Sequence, residues 1–176
     1  MKILLSTLLL FTAAAVGQAA PTRDEALSAI ATIEKDILSV AAVEAARTIT
    51  QFSEESEEVM FMIGPDTIPW VMAERAPDKT DDTIYAMLLA AYFAGNAKAQ
   101  LLAGKTADDP YRGWLATIKA YRQFQTKRSI VIPSLEKFSE MEAAGSLKAH
   151  AREVKAQQKE LNSPPEKKAS RGRDFI

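Results

Sequence analysis

Apolar residues recur at helical spacing along most of this chain, and capping residues separate one apolar segment from the next. Thr22 and Glu25 match a capping box, in which each side chain accepts a hydrogen bond from the other residue's backbone N–H. The residues that follow form an apolar stripe with helical period, namely Ala26, Ile30, Ile33 and Ile37. Each such helix must bury its apolar face against another element. Because most apolar segments of the chain share this helical spacing, the pattern predicts an all-α fold.

The helix boundaries between residues 22 and 63 are marked less clearly in the sequence. We predict one long helix from Thr22 to about Gln51, with a bend near Ser39 as the alternative. The four carboxylates of residues 53–58 then suit the positive N-terminal end of a next helix. That helix would continue as one fully buried turn over residues 59–63, for which a short strand is the alternative.

Two further helices are predicted in the middle of the chain. A short one starts at Asp66 or Thr67, ends before Pro77, and buries Trp70 and Val71.

The next helix covers residues 83–94 and is the most apolar in the chain, so we place it at the centre of a bundle. Gly95 is interpreted as its C-cap, and Asn96 as the N-cap of a short return helix over 97–103.

The second half carries clear helix boundaries. Asp109 and Pro110 predict a helix start, with aspartate as the cap and proline at the first helical position. Residues 129–133 are β-rich but lack a partner strand, so we predict an extended connection into the next helix. Gly145 ends that helix and Ser146 caps the last one. The sequence therefore predicts a compact bundle of six to eight short helices, arranged in successive hairpins.

Two of these helices resemble each other and a known repeat unit. Residues 85–92 carry the spacing Tyr-x2-Leu-Leu-x2-Tyr, which resembles the first helix of a tetratricopeptide (TPR) unit. Tyr85 and Tyr92 recur at the same separation as Trp114 and Tyr121. The resemblance covers a small part of the chain, without the 34-residue period of that family, and it implies only a TPR-like helical hairpin.

The first nineteen residues have the features of a secretory signal peptide. Lys2 is followed by an uncharged run over residues 3–16, and the small residues Gly17 and Ala19 occupy the positions that a signal peptidase recognises. An uncleaved membrane anchor is the alternative, but the run is shorter than the roughly 20 apolar residues that span a bilayer. We therefore predict cleavage after Ala19, a periplasmic or secreted location, and no stable membrane insertion afterwards.

Composition excludes several classes of function. The chain has no cysteine, so disulfides, thiol nucleophiles, thiolate zinc sites and iron–sulfur clusters are ruled out. Lys and Arg number 22 against 23 Asp and Glu, and the two signs alternate along most of the chain. Such a surface lacks the sustained positive field that nucleic acid requires, so we do not expect a nucleic-acid partner. We predict a helical domain over residues 22–161, followed by a disordered tail over 162–176 whose composition is too polar to bury a core.

No motif indicates catalysis, a metal or a cofactor. His150 is the only histidine, and its charged surroundings favour a solvated surface residue over a member of a hydrolase triad. The carboxylates of residues 53–58 lack the spacing of a calcium-binding loop. We therefore expect neither a bound metal nor a cofactor.

Three functional hypotheses follow. The first is a non-catalytic periplasmic or envelope-associated module that binds a protein or peptide through exposed aromatic rings of Tyr85, Tyr92, Trp114 and Tyr121. The second is a hydrolase whose site combines two carboxylates from scattered candidates, namely Glu74, Asp81, Asp82, Asp108 and Asp109. The third is weak binding of anionic lipid or wall polymer by basic residues of the tail, namely Lys167, Lys168, Arg171 and Arg173.

Overall fold

A computed structural model describes residues 19–72 and 82–161 of the chain. Across these two ranges the secondary structure is helical, without strands. The helices are α1 (Arg23–Lys35), α2 (Val40–Glu55), α3 (Pro69–Met72), α4 (Asp82–Ala103), α5 (Pro110–Gln125), α6 (Pro133–Ala143) and α7 (Leu147–Leu161). The prediction of an all-α bundle with six to eight helices is therefore confirmed for this part of the chain. Residues 1–18 of the predicted signal peptide (1–19) and the whole of the predicted tail (162–176) lie outside the described residues.

The predicted long first helix is in fact two helices. The capping box at Thr22 is present and starts α1, which ends at Asp36 in an extended conformation. Ser39 then caps α2, and its hydroxyl accepts a hydrogen bond from the Ala42 N–H at 3.2 Å. The cap interrupts the apolar stripe, and α2 folds back to pack against α1.

The carboxylates of residues 53–58 do not start a helix, which corrects the second prediction. Residues up to Glu55 end α2, and residues 59–63 form neither a helix nor a strand. The backbone of Met60 is instead bonded to the side chain of Gln100 on α4. The Met60 N–H donates to Gln100 Oε1 at 2.9 Å, and Gln100 Nε2 donates to the Met60 carbonyl at 2.8 Å. A side chain thus satisfies backbone groups that a helix or strand would otherwise pair.

The short helix α3 starts slightly later than predicted. Thr67 closes the turn before it, because the Thr67 hydroxyl accepts from the Gly64 N–H at 2.8 Å. Trp70 is fully buried and Val71 packs against the core, as the sequence predicted. Pro77 lies outside the described residues.

Helix α4 runs unbroken through the predicted caps Gly95 and Asn96, so the interpretation of two helices separated there is wrong. Gly95 lies where α4 crosses α5. A Cβ atom at this position would overlap the backbone carbonyl of Arg112 and lie 2.6 Å from the Cβ of Ala116. The glycine therefore allows a close helix–helix approach, and it does not end a helix. None of the helices in the described ranges is both long and apolar enough to cross a membrane.

The second half of the fold follows its sequence signals. Asp109 caps α5 with Pro110 at the first helical position. The predicted connection covers residues 129–132, one residue fewer than predicted, because Pro133 is already the first residue of α6. It is held by Tyr121, whose hydroxyl accepts from the Ile132 N–H at 3.0 Å. Gly145 ends α6 with a φ of 72°, and α7 begins directly afterwards.

Candidate functional site

The four aromatic side chains proposed as partner contacts lie in the core. Tyr85, Tyr92, Trp114 and Tyr121 are each no more than 7 % exposed. The Trp114 indole N–H donates to the Thr67 carbonyl at 2.7 Å, so its polar atom is also satisfied internally. The partner hypothesis required exposed rings, and these four stabilise the bundle instead because α4 and α5 turn them toward each other and toward the neighbouring helices.

A buried polar network joins α4 to the start of α5. The Asn96 amide donates to Asp108 Oδ1 at 2.7 Å, and Gln100 Nε2 donates to Asn96 Oδ1 at 2.8 Å. The Asp109 N–H donates to the same Asn96 oxygen at 2.9 Å. Asn96, Gln100 and Asp108 are each almost completely buried. Together with the bonds from Gln100 to Met60, the network connects the segment around Met60, helix α4 and the start of α5.

Asp108 is the most electrostatically perturbed acid of this network. Burial raises the pKa of its carboxyl, while the Asn96 amide, the Met62 N–H and the Lys155 ammonium act in the opposite direction. Burial, together with the charge of Asp108, also raises the pKa of Tyr92 far above its ordinary value. A raised carboxyl pKa is typical of general acids. However, Asp108 is only 1 % exposed, so a substrate does not reach its carboxylate in this conformation.

The carboxylates proposed for the hydrolase do not form a facing pair. Asp109 Oδ1 accepts from the Arg112 N–H at 3.1 Å and is committed to capping α5. Asp82 begins α4 and borders a separate hollow of about 690 Å³ between α2 and α4. Glu74 and Asp81 lie outside the described residues. Among the described candidates, no two offer the acid and base of a glycosidase across one cavity.

The His150 side chain is 27 % exposed, so it is partly buried and not the fully solvated residue that the sequence suggested. Its ring stacks on Trp114, with centroids 5.4 Å apart and an angle of 21° between the planes. His150 also borders a hollow of about 350 Å³, together with Ser134 and Asp66. The side-chain polar contact of His150 is with Glu153, whose carboxylate lies 3.9 Å from Nδ1. Glu153 lies on the same helix, so within the described residues this contact is not that of a serine–histidine–aspartate relay.

The most distinctive surface feature is a cleft of about 380 Å³ between the start of α5 and α7. Five basic side chains line it, and we call it the basic cleft: Lys105, Arg112, Lys148, Arg152 and Lys155. Within the described residues, no salt bridge joins any of them to a carboxylate. Asp108 and Asp109 also border the cleft, but the five basic side chains outnumber them. The cleft therefore concentrates positive charge in a chain whose formal net charge is −1.

Three contacts fix the walls of the basic cleft. Lys155 Nζ donates to the Asp108 carbonyl at 2.5 Å, which ties α7 to the buried network. The ring of Tyr111 lies between two cations, with Arg112 Cζ at 5.8 Å and Lys148 Nζ at 5.9 Å from its centroid. Such cation–π contacts hold these groups near the cleft without neutralising their charge.

The sequence contained part of the signal for this site. Lys148, Arg152 and Lys155 are spaced i, i+4 and i+7, which places them on one face of α7. The interpretation that basic and acidic residues alternate along the chain overlooked this stripe. No group of three or more histidine, aspartate or glutamate side chains in the described ranges is arranged to hold a metal ion. Comparisons with protein-family models, with curated proteins and with solved structures find no match to this chain.

Proposed function

We propose that this protein is an exported, non-catalytic helical module that binds an anionic partner in the basic cleft, in the periplasm or outside the cell. The observation that carries the proposal is the set of five basic residues around one cavity. They outnumber the two acidic residues of its lining, Asp108 and Asp109, and form no salt bridge within the described residues. Like charges held close together repel one another, and a bound anion relieves that repulsion.

Export is supported by the signal-like leader, with its basic Lys2, its uncharged run and the small residues Gly17 and Ala19. The TPR-like hairpin arrangement also belongs to the proposal. The two similar aromatic segments lie on α4 and α5, which pack against each other, as α1 and α2 do. In this arrangement the bundle acts as a rigid support for the cleft.

The test is binding of inorganic tripolyphosphate, followed by isothermal titration calorimetry. The double variant Lys148→Gln with Arg152→Gln removes two exposed cations of the cleft and replaces no buried residue. We expect binding to weaken by roughly 10-fold or more, and to weaken further as salt is added.

The matched control is Lys127→Gln with Arg128→Gln, which removes two exposed cations in the turn after α5, away from the cleft lining. This control is expected to bind as the unmodified protein does. Equal losses in both double variants, or no binding by the unmodified protein, would refute the proposal.

A further inference from the structure

A second depression adjoins the basic cleft along α4 and α5. It has a volume of about 670 Å³, and we call it the apolar groove. Four residues border both depressions, namely Ala99, Ala103, Asp109 and Arg112. Because they share these residues, the cleft and the groove adjoin as two halves of one site. The Arg112 side chain and the Asp109 carboxylate, which caps α5, lie at their common border.

The two halves of this site differ in chemistry. The groove is walled mainly by apolar residues, namely Gly95, Ala99, Leu102, Ala103, Leu115 and Ala116. Two basic side chains at its edge, Lys98 and Lys119, already contact Glu34. Lys98 pairs with Glu34 at 2.6 Å, and Lys119 Nζ donates to the Glu34 carbonyl at 3.0 Å. The groove therefore offers apolar contact, whereas the cleft offers unpaired positive charge.

Leu102 is the clearest apolar group of the groove. Its side chain is 70 % exposed on α4, close to the shared residue Ala103. Single exposed leucines are common on protein surfaces. Leu102 differs from such a leucine because it borders a depression that ends in a group of cations.

We propose that the ligand is an anionic amphiphile with one alkyl chain. Its charged head lies in the basic cleft near Arg112, Lys148 and Arg152, and its chain follows the groove past Leu102 and Leu115. This inference rests on the proposed function, which supplies the half of the site that holds the head group. A linear polyanion fits less well, because Lys98 beside the groove is paired with the Glu34 carboxylate and Lys119 is bonded to the Glu34 carbonyl.

The first experiment compares dodecyl phosphate, below its critical micelle concentration, with ethyl phosphate by isothermal titration calorimetry. If the groove covers four or more methylenes, dodecyl phosphate should bind at least roughly 100-fold more tightly. Dodecyl maltoside, which has the same chain without the charge, is expected to bind more weakly than dodecyl phosphate.

The second experiment changes the groove alone. Leu102→Gln is expected to weaken dodecyl phosphate binding by roughly 10-fold and to leave ethyl phosphate binding unchanged. Val131→Gln is the matched control, since Val131 is 75 % exposed and borders neither depression. Arg152→Gln should weaken both phosphates.

The outcomes separate this inference from the proposed function. If ethyl phosphate and tripolyphosphate bind in the cleft but the alkyl chain adds nothing, the groove inference is wrong and the proposed function stands. Equal effects of Leu102→Gln and Val131→Gln would indicate nonspecific detergent binding and overturn the inference. If neither tripolyphosphate nor either phosphate ester binds, both proposals fail.

Discussion

Replacement of Gly95 by alanine is expected to destabilise the bundle, although alanine favours helices more than glycine does. The added Cβ would lie 2.6 Å from the Cβ of Ala116, and closer still to the carbonyl oxygen of Arg112. Two carbon atoms prefer a separation of about 3.5–4.0 Å, so the methyl group is about 1 Å too close. The Arg112 oxygen belongs to the backbone, and relief therefore requires α4 and α5 to move apart.

The magnitude follows from two opposing contributions. Alanine in a helix interior gains about 1 kcal/mol over glycine. Overpacking a well-packed contact costs about 1–3 kcal/mol, and a contact with backbone belongs near the upper end. The reciprocal contact, where Gly113 lies against the ring of Tyr92, would be disturbed by the same movement. We therefore expect Gly95→Ala to lower the free energy of unfolding by about 1–2 kcal/mol.

The assay is urea unfolding followed by far-ultraviolet circular dichroism. Ala86→Gly is the matched control, because Ala86 is exposed on the same helix, and its loss of about 1 kcal/mol measures propensity alone. Gly95→Ala combined with Ala116→Gly should be less destabilised than the sum of the single variants, since one overlap is removed. If Gly95→Ala instead stabilises the protein by as much as Ala86→Gly weakens it, the close approach of α4 and α5 does not limit packing.

Three further predictions concern polar groups. Burial raises the pKa of Asp108 above 3.8, so its native carboxyl binds a proton more tightly than the unfolded one. The free energy of unfolding should therefore fall as pH rises from about 3.8 through the raised native pKa of Asp108, and it should fall less in Asp108→Asn. Urea unfolding at a series of pH values measures both profiles, and parallel profiles would refute this prediction. Gln100→Leu should lower the free energy of unfolding by about 2–3 kcal/mol, because the Met60 backbone and Asn96 Oδ1 lose their bonds to Gln100. The control Gln157→Ala, at an exposed position of α7, should cost less than about 0.5 kcal/mol. Tyr121→Phe should cost about 1–2 kcal/mol, because the Ile132 N–H loses its acceptor, and an unchanged thermal midpoint would contradict that role.

Local signals predicted several of the helix boundaries that local hydrogen bonds determine, although the Ser39 cap of α2 was given only as an alternative bend. The capping box at Thr22, the Asp109–Pro110 start and the left-handed Gly145 all act within a few residues of themselves. Gly95 shows where such reasoning stops. A glycine followed by asparagine fits a helix end as well as a helix crossing, and the choice depends on Arg112 and Ala116 of another helix. That information is not local in the sequence.

The candidate site was likewise predictable only where it depends on residues that are close in sequence. The basic stripe on α7 follows from residue spacing, whereas its meeting with Lys105 and Arg112 depends on how α7 packs on α5. Asp108 was a reasonable candidate for catalysis because aspartate beside a helix start is usually exposed. Its burial follows from Asn96, which lies in the interior of α4 because the helix does not break at Gly95. One wrong helix boundary therefore hid the environment of the acid.

Asp108 links the core to the cleft, and this determines which cations are free to bind a ligand. Its carboxylate accepts from Asn96, while its carbonyl accepts from Lys155. A ligand that drew Lys155 away would leave this buried carbonyl without that donor and would lose part of its binding free energy. Lys148 and Arg152 are exposed and make no such bond, so they offer their charge at lower cost. Variants of these two residues therefore measure ligand binding, whereas a variant of Lys155 would mix binding with the stability of the bundle.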